Sequence, residues 1–74
     1  MKPYVDSYRI IGEMIKGSLK IGTKVKIIKQ FYKEECPELK GKYGNIRIME
    51  DRKAVVDFNK IMYRISYYKL EKTY

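Results

Sequence analysis

The strongest constraint on this chain is a change of hydrophobic period near residue 23. Upstream, Tyr4, Tyr8, Ile11 and Ile15 recur at steps of four, three and four, the spacing of one helix face. Downstream the period is two. Val25 and Ile27 interleave with Lys24 and Lys26, and Gly41-Lys42-Tyr43-Gly44-Asn45-Ile46 opens a second alternating run. Successive side chains of a strand point to opposite faces, so these runs bury one face and expose the other. One helix followed by short strands is the expected order.

The helix is expected over residues 3–16. Pro3 suits a first-turn position, and Gly17-Ser18 marks the stop. Met14 and Val5 widen the apolar stripe, while Asp6, Arg9, Glu13 and Lys16 lie on the other side. Gly12 costs the helix about 1 kcal/mol relative to Ala, and Ile10-Ile11 could instead join a short strand. Two roles fit the stripe. It caps the core of the following unit, which a chain this short needs, or it docks a partner or a membrane surface. Residues 1–20 thus read as an extension packing on a unit spanning 21–74.

Five strands are expected, with Val25, Ile27, Ile46, Ile48, Val56, Phe58, Ile61 and Ile65 inside and Tyr63 in the core. Asn45, Arg47 and Met49 face outward. Glu50-Asp51-Arg52 and Asn59-Lys60 read as turns, Ser66-Tyr67-Tyr68 as a 3₁₀ turn, and residues 70–74 as the last strand. Gly44 is expected to supply a backbone conformation that a residue with a Cβ resists. Residues 30–39 read as a long polar loop holding Glu34, Glu35, Cys36, Pro37 and Glu38.

Composition narrows the function. Seventy-four residues allow one domain, and a chain of this size buries only about 60% of its unfolded surface. A large internal active site does not fit. Seventeen Lys and Arg against nine Asp and Glu give a net charge of +8, which points to a polyanionic partner. Lys dominates over Arg. Lys meets phosphate as a point charge, whereas Arg makes the forks that read bases, so backbone contact outweighs sequence readout. There is no His, the commonest general base, and a single Cys without a base beside it in sequence. Glu34, Glu35, Cys36 and Glu38 make a poor ligand set for zinc and lack calcium spacing. No paired carboxylates or Gly-rich phosphate loop stand out, so a protein without catalysis, metal or cofactor is expected. No apolar run reaches the roughly 18 residues of a membrane span, so no membrane partner is expected. The lone Cys and the lack of a signal-like N-terminus make a cytoplasmic location the expectation. The abundance of Ile, Lys and Tyr fits an AT-rich bacterial or phage genome.

The runs Gly22-Thr23-Lys24-Val25-Lys26-Ile27 and Gly41-Lys42-Tyr43-Gly44-Asn45-Ile46, with Tyr63-Arg64-Ile65 and Leu70-Glu71 closing the chain, resemble an SH3-like barrel. The closer likeness is to the KOW-type barrel of ribosomal and transcription-elongation proteins. The resemblance covers residues 21–74 and implies a five-stranded barrel that binds nucleic acid or protein through loops and an outer face. The connection from Val25 to Gly41 is longer than in KOW motifs. It is similar to the extended first loop of small accessory subunits and protein-binding modules.

With these strand phases, Lys24, Lys26, Arg47, Lys53, Lys60 and Arg64 lie outside, and Lys40 and Lys42 flank Tyr43 in a loop. Cations interleaved with an aromatic hold a phosphate backbone while a base stacks. These nine residues are the expected nucleic-acid contacts, with RNA and DNA both open; Tyr32 is a further loop candidate. The other reading is a protein-interaction module, such as a phage- or mobile-element-encoded inhibitor or an accessory subunit, binding an acidic protein or ribonucleoprotein surface. Oligomeric state is left open by an exposed edge strand.

Overall fold

The computed structural model describes residues 3–31 and 37–73, with side chains from residue 8 onward except residue 30. The side chains of Tyr4, Val5 and Asp6, and all of Tyr32, Glu34, Glu35, Cys36 and Tyr74, lie outside the described residues. Helix α1 (Pro3–Gly17) is followed by strands β1 (Lys24–Ile27), β2 (Gly44–Met49), β3 (Lys53–Phe58), β4 (Ile61–Ser66) and β5 (Leu70–Lys72). Single 3₁₀ turns occupy Lys29–Phe31, Pro37–Leu39 and Tyr67–Lys69. The strands form one antiparallel sheet in the order β4-β3-β2-β1-β5. β4 and β5 stand at its two ends, so the sheet is open where a closed barrel was expected.

Alternation holds in β1 and β3. Val25, Ile27, Ala54, Val56 and Phe58 are buried, as are Ile46 and Ile65. It fails in β2 through a bulge. Ile46 pairs with Val56, but Ile48 pairs with Val55, so two steps along β2 match one along β3. The extra residue turns Ile48 to the exposed face, at 52% accessibility, and brings Met49 opposite Ala54 against the core. Ile61 is also exposed rather than inside. It pairs with Phe58 at the hairpin end of β4, where the open margin of the sheet leaves it uncovered. Tyr63 is half-buried and packs edge-on against Phe58 at 5.7 Å.

The Asn59-Lys60 hairpin takes left-handed φ at both residues, 54° and 75°, as a two-residue type I′ turn requires. Gly44 does not depend on left-handed φ. A Cβ there would lie 2.7 Å from Val56 Cγ1 and 2.9 Å from the Asp57 carbonyl oxygen, so its glycine is fixed by close packing of β2 on β3. The left-handed glycine of that turn is Gly41, at φ 73°.

The segment read as a solvated polar loop contributes to the core at both described ends. Phe31 and Leu39 are buried there, alongside Leu19, Tyr67 and Leu70. The 3₁₀ turns that hold Phe31 and Leu39 carry no period-two or helical repeat, which is why alternation missed them.

α1 forms as expected but is rotated about its axis. Tyr8, Gly12, Ile15 and Lys16 face the body of the protein: Tyr8 stacks on Tyr68 at 4.9 Å, and a Cβ on Gly12 would sit 3.7 Å from the Tyr68 amide nitrogen. Ile15 packs against the core, and Lys16 Nζ lies 5.5 Å from the Tyr67 ring centroid. Lys16 Nζ also donates to the Asp51 carbonyl at 3.0 Å. Ile11, expected to face inward, is exposed with Ile10 and Met14. The inward face is set by Tyr8 against Tyr68, Ile15 against the core and Lys16 against Tyr67 and Asp51, and it runs through Gly12 rather than Ile11. No helix among the described residues is long and apolar enough to cross a membrane.

Candidate functional site

The expected contact residues divide into two groups. The first is a corner where β1 and β2 begin. Lys24 pairs with Asn45 and Val25 with Gly44, so Tyr43, the residue before β2, arrives beside Lys24. Lys24 Nζ lies 5.5 Å from the Tyr43 ring centroid, and Tyr43 is 56% exposed. Buried Leu39 anchors the turn before it: the Lys42 N–H donates to the Leu39 carbonyl at 3.0 Å, and the Lys40 N–H to that of Pro37 at 3.2 Å. With Gly41 left-handed between them, Lys40 and Lys42 are both exposed. Among the described residues, no ion pair holds Lys24, Lys40 or Lys42. Asn45 Nδ2 donates to the Gly22 carbonyl at 3.3 Å, tying this corner to the chain entering β1.

The second group lies on the outer face of the sheet, and its two arginines are neutralised by carboxylates. Arg47, at the bulge, donates to Asp57 Oδ2 from Nη2 at 3.1 Å and from Nε at 3.3 Å. Asp57 Oδ1 also accepts the Lys60 N–H at 2.7 Å, so one carboxylate braces the hairpin and the arginine together. Arg64 forks onto Glu50, Nε to Oε1 at 2.8 Å and Nη2 to Oε2 at 3.3 Å. Lys26 is half-buried and stands opposite Glu71 in the β1–β5 register. Lys53 is exposed at the start of β3, and Lys60 is exposed in the β3–β4 hairpin, at the same end of the sheet as the start of β2. Between these cations the face shows exposed Ile48 and Met62. Sequence reasoning counted the cations by strand phase, but it could not see the carboxylates that the register places across from them.

A third region, made largely of residues not expected to act together, is a cleft of about 400 Å³ between α1, the β2–β3 turn and Tyr67–Lys69. Tyr8, Arg9, Gly12, Glu13, Arg52, Tyr67 and Tyr68 line it. The Tyr67 hydroxyl donates to the Glu50 carbonyl. Burial holds that hydroxyl above the ordinary tyrosine range, with Glu50, Asp51 and Glu13 pushing the same way. Arg9 and Arg52 stand far apart in sequence, and no motif joins them.

No protein-family model, curated protein or solved structure matches the chain.

Proposed function

We propose that this protein is a small, non-catalytic nucleic-acid-binding module that grips phosphate backbone with little sequence preference. The observation that carries the reading is the corner in which Lys24 lies over the exposed Tyr43 and Lys40 and Lys42 stand exposed in the adjoining turn, none of the three in an ion pair among the described residues. Point charges of this kind contact phosphates, and the ring offers a platform on which a base stacks. The outer-face cations Lys26, Arg47, Lys53, Lys60 and Arg64 add long-range attraction, with Arg47 and Arg64 discounted by their carboxylate partners. The strand order, with a 3₁₀ turn between the last two strands, supports an SH3-like relationship of KOW type. A reducing, cytoplasmic setting and a bacterial or phage source accompany this reading.

The test is binding to single- and double-stranded RNA and DNA across salt. Counterion release makes the affinity fall steeply between about 50 and 200 mM salt. A protein that shifts none of these probes at micromolar concentration and low salt contradicts the reading.

A second reading has its own observation. Ile10, Ile11 and Met14 stand exposed together on α1, an apolar surface of the kind protein partners cover. On that reading the chain is a protein-interaction module. Recovery of partners from native lysate with and without nuclease separates the two: nuclease-sensitive recovery supports the first, and one stoichiometric protein partner supports the second.

A further inference from the structure

The cleft between α1 and the Tyr67–Lys69 turn has a composition that the corner lacks. Two guanidinium groups line it from different elements, Arg9 from α1 and Arg52 from the β2–β3 turn. Arg9 makes no ion pair among the described residues, and the ion pair of Arg52 is a 3.9 Å contact with the exposed Asp51. Guanidinium groups suit phosphate, which they contact through forked hydrogen bonds. Three tyrosines, Tyr8, Tyr67 and Tyr68, supply aromatic surface to the same cleft. Tyr68 is covered by Tyr8 on one side and by Phe31 edge-on at 5.6 Å, and the Tyr67 ring carries Lys16. Tyr8 is exposed, so it is the ring with surface left to offer.

Glu13 completes the set and limits what can enter. It lies one helical turn from Arg9, yet no ion pair joins them among the described residues. A purely anionic ligand meets repulsion there. A ligand that brings N–H donors to Glu13 while presenting an anion to the arginines satisfies both. Phosphate at one end, a flat ring, and amino or imino hydrogens at the other end describe a nucleotide. The volume of about 400 Å³ falls within the range of about 300–1,000 Å³ usual for small-ligand sites.

We propose that this cleft binds one nucleoside monophosphate unit, with phosphate on Arg9 and Arg52, the base against Tyr8 and a base N–H donated to Glu13. The unit comes either from a free nucleotide or from the phosphorylated end of a strand. The site is separate from the Lys24–Tyr43 corner, so either can fail without the other.

The test titrates ¹⁵N-labelled full-length protein with the four ribonucleoside 5′-monophosphates, inorganic phosphate, O-phosphotyrosine and short single strands with or without a 5′-phosphate. Amide shifts at Arg9, Gly12, Glu13, Arg52 and Tyr68 are followed. Saturable shifts with a mononucleotide assign the free ligand, and shifts confined to 5′-phosphorylated strands assign the strand end. In either case Arg9→Gln and Arg52→Gln each weaken binding about tenfold or more, one bidentate phosphate contact. Glu13→Gln alters the preference among bases. Melting curves confirm that each variant folds. Tyr8→Leu serves as a second probe of stacking if an arginine variant fails to fold. Inorganic phosphate or phosphotyrosine binding as tightly as every nucleotide overturns the proposal. So does the absence of shifts at millimolar ligand, or affinity indifferent to Arg9 and Arg52.

Discussion

The β1–β2 corner and the outer face of the β2–β4 sheet carry cations of the same formal charge, yet they present different chemistry. At the corner, Lys24, Lys40 and Lys42 are placed by a strand register, two turn hydrogen bonds and the left-handed Gly41, and Lys24 lies over the Tyr43 ring. Among the described residues, none of their ammonium groups is in an ion pair. On the outer face, Arg47 and Arg64 are each forked onto a carboxylate. An anionic ligand must compete with Asp57 and Glu50 before it reaches them. Net charge counts both groups alike, whereas the local pairing separates cations with a carboxylate partner from those without one among the described residues.

The largest expected effect removes the frame that both regions share. Gly44→Val places a side chain against Val56 and the Asp57 carbonyl, where even a Cβ has 2.7–2.9 Å. Overpacking of this kind costs about 3 kcal/mol. For a domain this small that is a fall in melting temperature of roughly 12–24 °C. An unchanged melt would mean that β2 sits farther from β3 than described.

The next effect separates the regions. Lys24→Glu with Lys40→Glu and Lys42→Glu lowers affinity for every nucleic acid tested by at least about tenfold at 100 mM salt, since each lost phosphate contact reduces counterion release. Arg47→Gln with Arg64→Gln lowers it much less. Equal losses would erase the distinction between corner and outer face. Tyr43→Ala is expected to cost about 1–3 kcal/mol on single strands and little on duplex, as stacking requires an unpaired base. Gel shift on matched strands reads the difference.

The smallest effect sharpens the contrast from the other side. Asp57→Asn keeps an acceptor for the Lys60 N–H but releases Arg47. The ion pair it removes joins an exposed arginine to a largely covered carboxylate and is worth about 1 kcal/mol, so the melt shifts slightly, while nucleic-acid affinity rises. An affinity that falls would show that Asp57 positions Arg47 for binding rather than masking it.

How much of this was legible in the sequence follows from which contacts are local. β1 and β3 alternate without interruption and bury a full face, so Val25, Ile27, Val56 and Phe58 could be placed from period alone. The hairpin at Asn59-Lys60 could be placed from strand spacing. The bulge at Arg47 leaves no mark in the sequence, because it answers to pairing with β3; one extra residue moved Ile48 from inside to outside. α1 was legible as a helix but not in its rotation. Its orientation depends on contacts distant in sequence, Tyr8 with Tyr68 and Lys16 with Tyr67 and Asp51, and the apolar stripe through Ile11 pointed elsewhere. Gly44 was singled out for a turn conformation, and the structure needs it for close packing instead. At the candidate site, the turn that carries Tyr43 between two lysines was visible as a motif. The masking of Arg47 and Arg64 was not, since Asp57 and Glu50 become neighbours only through the sheet.

The central claim is that the corner, rather than total charge, governs phosphate binding. Its most direct test is the slope of log affinity against log salt concentration on one single strand, measured for the native chain, the triple corner variant and the double Arg47/Arg64 variant. Single strands give a slope of about −0.7 per phosphate contact. The account predicts that the corner variant loses about two units of slope, from its three lysines, and that the outer-face variant keeps the native slope within about half a unit. Identical slopes for the native and corner proteins would contradict it.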